Sequence, residues 1–331
     1  MQELVLIFTD LFIAAGASSP QSVPPLPALS ALLARGSVHE EADWRRWALR
    51  TYAGVQVERV PVAAVSRHAL SDDPATVVHN AWMATPVHLD AGLTDVHMSE
   101  HLPELDQDEQ RTLTADFNRQ FAADGWQLEF LSAKAALLST AASLEADTVD
   151  PARLLTQSIG AALPSGPGSS QLRRVMTEVQ MWLHGHALNE ARERRGAPSV
   201  NSLWIWGGGV EPAVQPSRNL PHLMSDDAFL LGLWRMLHAR SVPAPAASLA
   251  ALRARESESS VAALSRVGDS HSPAQALEAI ERDWTAPALQ ALKNGDVQRV
   301  RLHVNDRLFT TTRRDLLRFW RAPRSWLEQV A

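Results

Sequence analysis

Short apolar runs alternate with amphipathic stretches along the chain, which is the pattern of strands that alternate with helices. Residues 3–8 (ELVLIF) form an unbroken apolar run, which predicts a buried strand of the parallel type. The β-branched stretch around TPVHL within 76–89 predicts another strand, and 203–206 and 300–304 predict two more. This alternation favours an α/β fold, with a sheet flanked by helices.

Helices are predicted where apolar residues recur at steps of three and four. The predicted helices are 28–34, 44–52, 104–123, 171–195, 228–238 and 274–292. The strongest pattern is that of 171–195, which carries one apolar stripe and has a Gly-Ala-Pro stop signal behind it. Because 91–199 is mainly helical, we expect an inserted helical subdomain there, between the core segments 1–90 and 200–331.

A strand that carries two tryptophans, LWIW, runs directly into three glycines and then Pro212. Glycines that bind phosphate have fixed spacing and lead straight into a helix, and neither condition is met here. We therefore expect a tight loop that allows close backbone packing. The tryptophans are expected to serve the core.

Two histidines, His184 and His186, stand two residues apart within the strongest predicted helix. Residues at that spacing point to different sides of a helix and cannot readily chelate one ion. The pattern predicts one buried and one exposed imidazole rather than a metal site.

The amino-acid composition excludes several classes of function. The chain has 331 residues, of which 45% are hydrophobic and 21% charged, as in soluble globular proteins. Its net charge is −6 and its basic residues form no long tract, so neither nucleic acid nor membrane is an expected partner. Cysteine is absent, which excludes disulfides, thiolate metal sites and cysteine nucleophiles.

The first residues superficially suggest a signal peptide, because an apolar run is followed by small residues. That segment lacks a basic start, contains Glu3, and has Asp10 inside the would-be apolar stretch. No later segment reaches the roughly 20 apolar residues of a membrane span. A soluble, cytoplasmic protein is the expectation.

The candidate site residues follow predicted strands in the sequence. Asp10 follows the first strand, and ligands and metals in α/β proteins gather beyond the carboxyl ends of strands. A structural turn or capping role explains Asp10 comparably well. Asp269 and His271, in GDSHS, follow another predicted strand. A Ser-His-Asp triad is not predicted, because no G-x-S-x-G sequence occurs.

Several segments together resemble one family. EVQMWLHGHALNEARERRGAPSVNSLWIWGGG, WMATPVHLDAGLTDVHM and LPSGPGSSQLRRVMTEVQ are similar to blocks of the RpfE-type regulatory proteins of bacteria. The likeness spans nearly the whole chain. It implies a regulatory protein and no particular activity.

A second, more distant resemblance concerns the archaeal-type cofactor-independent phosphoglycerate mutases of the alkaline-phosphatase superfamily. The opening, a strand that ends at Asp10 followed by PPLPALSALLARG, resembles theirs. So does the series that closes their inserted domain, matched here by His186, Asn189, Arg192, Gly196, Pro198, Asn201 and Trp206. The resemblance implies an alkaline-phosphatase-like core sheet and ligand-binding roles for His186, Asn189 and Arg192.

The departures from that family matter most. The resemblance implies two divalent metals, held by Asp and His residues around a Ser or Thr nucleophile. Asp10, Asp269 and His271 match metal-ligand positions, but the late Asp-His pair is replaced by LHVND, which contains His303. No serine stands in a recognisable nucleophile context, and Ser18, Ser19 and Ser37 are no more than candidates. The metal site is therefore expected to be incomplete.

Three hypotheses follow. The preferred one is a catalytically degraded member of the superfamily that needs no cofactor and has a regulatory or ligand-sensing role. Its partner would be a protein or a small phosphorylated ligand. The alternative is a phosphomutase or phosphohydrolase that uses Mn or Zn, with Asp10, Asp269, His271 and His303 converging.

The third hypothesis is a protein-interaction module near the C-terminus. Trp320 and Trp326 stand among arginines there, and both residue types are enriched at interface hot spots. A C-terminal helix packed on the sheet explains the same residues equally well.

Overall fold

The computed structural model describes most of the chain, in these ranges: 1–8, 24–41, 43–69, 80–217, 220–239, 241–243, 248–253, 259–264, 273–318, 320–321 and 325–330. The predicted site residues Asp10, Asp269 and His271 lie outside these ranges, as do Ser18 and Ser19. The chain divides into two compact units. Unit 1 comprises Met1–Gln56 and Val214–Ala331, and unit 2 comprises Val57–Ala213.

The strands are, in chain order, β1 (Glu3–Phe8), β2 (Ser37–Glu40), β3 (Ala81–Val87), β4 (Leu89–Ala91), β5 (Val96–Met98), β6 (Trp126–Ser132), β7 (Ala135–Thr140), β8 (Ser202–Trp206), β9 (His222–Ser225), β10 (Ser241–Pro243), β11 (Ser259–Leu264), β12 (Arg299–Val304) and β13 (Arg307–Thr312). The helices are α1 (Pro27–Arg35), α2 (Trp44–Ala48), α3 (Val62–Ser66), α4 (Gln107–Phe121), α5 (Ser169–His184), α6 (Ala187–Arg194), α7 (Ala228–Met236), α8 (Leu249–Arg253), α9 (Pro273–Ile280), α10 (Ala286–Asn294) and α11 (Trp326–Val330). Two π-helical turns, Leu49–Ala53 and Glu281–Thr285, continue α2 and join α9 to α10.

Unit 1 is built on a seven-stranded sheet with the order β10-β9-β11-β1-β12-β13-β2. The strands from β10 to β12 pair in parallel, and β13 and β2 are antiparallel at one edge. The predicted parallel strand β1 is central in this sheet, with β11 and β12 on its two sides. The structure confirms the expected mixed α/β fold with a central sheet and flanking helices.

Both faces of this sheet are covered. Leu4, Leu6 and Phe8 of β1 share one core with apolar residues of α1, α9, α10 and α11. His303 pairs in register with Ile7, so it lies on the opposite face, where Trp47 packs against it. Much of the chain's unusual tryptophan content is used for packing, as predicted: Trp82, Trp204, Trp234 and Trp326 are among its largest fully buried side chains.

Helix α1 begins without a side-chain cap of its own. The Glu281 carboxylate accepts hydrogen bonds from the first backbone N–H groups instead, at 2.6 Å from Ala28 N and 3.1 Å from Leu29 N. A carboxylate at this end also complements the positive end of the helix dipole. The π turn after α9 therefore fixes the position of α1 in unit 1.

Unit 2 contains a four-stranded antiparallel sheet of order β6-β7-β3-β8, a β4–β5 hairpin, and the helices α3 to α6. The chain passes from unit 1 to unit 2 at residue 57 and returns to unit 1 at residue 214, whereas the predicted boundaries are at 91 and 200. The reason is that β3 and β8, predicted for the core, pair with each other (Met83 opposite Trp206) in the sheet of unit 2. The insertion is thus α/β rather than mainly helical.

The long helix predicted over 171–195 is two helices. Helix α5 ends at His184, and His186 caps α6, because its Nδ1 accepts a hydrogen bond from Leu188 N at 3.1 Å. This local hydrogen bond takes the place of the backbone hydrogen bonds that a continuous helix would make here. His184 is exposed and His186 buried, which confirms the prediction for the pair.

At the C-terminus, Trp326 is buried and its indole Nε1 donates to Pro24 O at 3.3 Å, within a helix that packs on α1. Trp326 is therefore part of a packed C-terminal helix, the second of the two explanations from the sequence, because α11 covers the core of unit 1. Trp320 is 69% exposed. Among the described helices, none is both long and apolar enough to cross a membrane.

The three glycines after β8 form the expected tight loop. A Cβ atom on Gly208 would lie 2.5 Å from ring atoms of the buried Trp82, and one on Gly207 would lie 2.8 Å from Val62 Cβ. Gly207 also adopts φ 64°, a conformation that favours glycine. Both tryptophans of β8 are buried, and Trp204 Nε1 donates to Val149 O at 2.8 Å.

We predict that Gly208→Ala destabilises the protein by about 1–3 kcal/mol, because the added methyl group overlaps a rigid indole ring. Urea denaturation followed by tryptophan fluorescence measures the loss. Gly160→Ala is the matched control, since nothing lies within 4 Å of its Cβ position. Equal stabilities of the two variants would contradict this account of the loop.

Candidate functional site

The candidate site lies at the carboxyl end of the parallel strands in unit 1. β11, β1 and β12 pair in register, so Leu264, Phe8 and Val304 end side by side. Ligand sites of α/β proteins form at such an edge. In the described part of this edge, the polar side chains of interest are His303 and Asn305.

His303 is fully buried on β12, with its ring centroid 4.3 Å from that of Trp47. Neither ring nitrogen has a hydrogen-bond partner among the described residues. Burial, and then the positive charges of Arg301 and Arg50, lower the pKa of His303 to about 3. The imidazole is therefore neutral at physiological pH and has a nitrogen lone pair available.

Asn305 follows β12 in the turn to β13 and is also buried, with φ 56°. Its side-chain oxygen and nitrogen both lack a hydrogen-bond partner within the described residues. A buried amide without partners costs about 1–3 kcal/mol per group. His303 and Asn305, two positions apart at the end of β12, thus both have polar side-chain atoms that no other described residue pairs with.

An aromatic cluster of Trp47, Tyr52 and Trp234 adjoins His303. Tyr52 packs edge-on against Trp47 at 5.3 Å and against Trp234 at 4.9 Å between ring centroids. Burial, and then the charge of Glu3, raise the pKa of Tyr52, while Arg301 opposes the rise. Its hydroxyl remains protonated and has no partner among the residues described. Tyr52 and Asn305 were not predicted as site residues, because their burial depends on tertiary packing.

The described residues do not by themselves fit the two divalent metals that the resemblance implies. Within them, no group of three metal-binding side chains occurs, and Asp10, Asp269 and His271 lie outside them. The field of Arg301 and Arg50, which lowers the pKa of His303, also opposes a cation at that ring. The same field favours an anion.

The other predicted ligand-binding residues lie in unit 2, where their polar atoms are used internally. His186 Nε2 lies 3.3 Å from Asp116 Oδ2, while its other nitrogen caps α6. Asn189 donates to Leu183 O at 2.9 Å and to Val200 O at 2.8 Å, and it accepts from Val200 N at 2.8 Å. These contacts hold the returning chain on α6.

Arg192 is 4% exposed and pairs with the buried Glu109, with 2.8 Å between Nη1 and Oε2. It also donates to Pro198 O at 2.6 Å and to Glu104 O at 3.0 Å. Arg195 contacts the other oxygen of Glu109. The guanidinium of Arg192 therefore joins α4, α6 and the segment before β8.

The comparisons with known proteins show a short, distant similarity. No family model matches the chain. It is 33% identical over 67 residues to the 2,3-bisphosphoglycerate-independent phosphoglycerate mutase 2 of Methanothermobacter thermautotrophicus, covering 20% of this chain and 17% of that protein. It is 36% identical over 66 residues to the probable 2,3-bisphosphoglycerate-independent phosphoglycerate mutase of Geobacter sulfurreducens, covering 20% and 16%. The chain thus aligns with about a sixth of the length of each relative.

Two solved structures extend over more of the chain at low similarity. The PH0037 protein from Pyrococcus horikoshii aligns with a TM-score of 0.48 and 14% identity, covering 94% of this chain and 87% of that one. A cofactor-independent phosphoglycerate mutase from Thermoplasma acidophilum aligns with a TM-score of 0.38 and 15% identity, covering 94% and 90%. The chain is distantly similar to cofactor-independent phosphoglycerate mutases, and its assignment to the RpfE-type family stays a prediction.

We predict that Arg192→Ala lowers the free energy of unfolding by about 3 kcal/mol, because Glu109 loses its buried partner. Urea denaturation measures the change. Arg194→Ala, at an exposed arginine of the same helix, should cost less than about 0.5 kcal/mol. A loss at Arg192 no larger than at Arg194 would show that the pair is not structural.

We predict that His303 weakens the fold in acid. Its folded pKa of about 3 lies below the unfolded value of 6.5, so its contribution is fully present above pH 6.5 and is lost as pH falls towards 3. Relative to His303→Leu, wild type should lose about 1.4 kcal/mol per pH unit in that window. Denaturation between pH 7 and 4 checks this slope, with the exposed His184→Leu as control. Parallel curves for wild type and His303→Leu would contradict the buried neutral imidazole.

Proposed function

We propose that the protein is a phosphoglycerate-mutase-like, catalytically degraded member of the alkaline-phosphatase superfamily that senses a small phosphorylated ligand. The observation that carries this proposal is His303, which is buried, neutral and without a hydrogen-bond partner among the described residues, two positions before the similarly unpaired Asn305 and in the field of two guanidinium groups. The regulatory role implied by the RpfE-type resemblance is part of the same proposal.

Electrostatics support an anionic ligand. After burial, the charges of Arg301 and Arg50 contribute to the lowered pKa of His303, and each arginine forms an ion pair, Arg301 with Glu3 at 3.3 Å and Arg50 with Glu41 at 2.5 Å. A phosphate placed near His303 would meet this positive field in a partly dehydrated setting, where charge interactions are strong. The Asn305 amide N–H groups would donate to its oxygens.

The same residues argue against two-metal catalysis. Such a site clamps the transferring phosphoryl group between two cations, each held by charged ligands. Where the resemblance implies a late Asp-His pair, this chain places His303 and Asn305, of which neither carries a negative charge. A neutral amide is a weak substitute for a carboxylate on Mn or Zn.

The metal-dependent alternative has support of its own. Two curated phosphoglycerate mutases match part of the chain. The resemblance found in the sequence implies metal-ligand positions for Asp10, Asp269 and His271. In that alternative, Asp10, Asp269, His271 and His303 converge around Mn or Zn in a phosphomutase or phosphohydrolase.

One set of measurements on the full chain, purified without chelator, separates the two. We expect less than about one equivalent of Mn or Zn, no turnover of phosphoglycerate, and calorimetric binding of phosphoglycerate in the presence of EDTA. Arg50→Gln should weaken that binding about tenfold, which corresponds to about 1.4 kcal/mol of lost attraction. Arg194→Gln, in unit 2, is the control and should leave binding unchanged.

Two equivalents of metal that support turnover, and that are lost in Asp10→Ala, would reject the proposal in favour of the enzyme. If neither phosphoglycerate nor inorganic phosphate binds to the EDTA-treated protein, the ligand-sensing role is also wrong.

A further inference from the structure

A separate group of side chains in unit 2 has the arrangement of an activated serine. Ser199 Oγ lies 2.9 Å from His88 Nδ1, and His88 Nε2 lies 3.3 Å from Asp90 Oδ1. Nucleophile, base and carboxylate thus stand in order, with the serine within hydrogen-bond distance of the base and the carboxylate in ion-pair contact with it. The side chains of His88 and Asp90 are 28% and 61% exposed, and Ser199 is half-buried, so small molecules reach the group.

The proton on His88 decides the role of Ser199. The Asp90 carboxylate only accepts hydrogen bonds, so its contact favours the tautomer of His88 that carries the proton on Nε2. Nδ1 is then an acceptor, and Ser199 Oγ–H donates to it. The Ser199 carbonyl oxygen, 3.0 Å from Nδ1, competes for a proton on that nitrogen. A charged carboxylate is the stronger acceptor, which favours the Nε2–H form.

The backbone around the group is held rigidly. Asn201, two residues after Ser199, accepts from Leu89 N and donates to Leu89 O, both at 2.8 Å. Leu89 stands between His88 and Asp90, so one side chain fixes the base and the carboxylate relative to the serine. Ser99 N also donates to His88 O at 3.0 Å. Catalytic groups need such support to keep their geometry.

We infer that Ser199 is a nucleophile towards small carboxylic esters, with His88 as its general base and Asp90 as a positioning residue. Ser199 Oγ would attack the ester carbonyl carbon and pass its proton to His88 Nδ1. The C–O bond to the alcohol then breaks, and the alcohol takes that proton. Water, deprotonated by the same nitrogen, would hydrolyse the acyl-serine and return the proton to Ser199.

The sequence could not indicate this group. His88 and Asp90 flank the end of β3, while Ser199 lies more than a hundred residues later, before β8, and no G-x-S-x-G sequence surrounds it. The antiparallel pairing of β3 with β8, with Val87 opposite Ser202, brings the two segments together. Such groups are recognised by geometry and roles rather than by order in the chain.

The test uses a fluorophosphonate probe on the full-length protein, with the labelled serine identified by peptide mass spectrometry. We expect Ser199 to be labelled at least about 100-fold faster than the exposed Ser132 in the same sample, as general-base activation predicts. This comparison needs no variant. Equal labelling of Ser199 and Ser132 would overturn the inference.

Variants assign the roles. His88→Gln should slow labelling about 100-fold, and Ser132→Ala should leave it unchanged. Asp90→Asn should slow it about tenfold or more and shift its pH profile, whereas Asp90→Glu should restore part of the rate. Thermal unfolding checks that each variant is folded. Labelling of Ser199 at the wild-type rate in folded His88→Gln would show that His88 is not its base.

Discussion

The parallel pairing of β1 with β11 and β12 is the constraint on which unit 1 depends. It buries alternate side chains of β1 in two different cores and aligns three strand ends at one edge. His303 is neutral, and has no hydrogen-bond partner in the described part of the chain, because this pairing buries it behind Trp47. The chemistry available at the edge therefore follows from the register of the sheet, since a shift of one residue would move His303 to the opposite face.

Unit 2 depends on a different kind of interaction, in which buried polar side chains bond to the backbone. Asn189, Arg192 and Asn201 each connect segments that are distant in sequence. These residues resemble a functional series of the phosphoglycerate mutases, yet here they make internal bonds. Regularly spaced polar residues in a sequence can serve either ligand binding or structure. Only their hydrogen-bond partners in the folded protein distinguish the two roles.

The regular elements were predictable from the sequence because they rest on local patterns. The apolar run of β1, the stripe of α4 and the glycine loop after β8 all lie where periodicity and composition place them. The break at Gly185 was missed because a cap by His186 is a single hydrogen bond that periodicity does not register. The unit boundaries were misplaced because the partners of β3, namely β7 and β8, are far away in sequence.

The candidate sites differ in predictability for the same reason. His303 could be named from the sequence, as a polar residue in an apolar strand. The roles of Asn305, Tyr52 and Ser199 can be recognised only from their neighbours in the fold. A buried polar group with all partners satisfied stabilises the structure, whereas one without partners costs stability that a bound ligand can restore. By that criterion, Arg192 belongs to the framework of unit 2. His303 and Asn305, whose polar atoms have no partner among the described residues, mark the place where a ligand would contribute most.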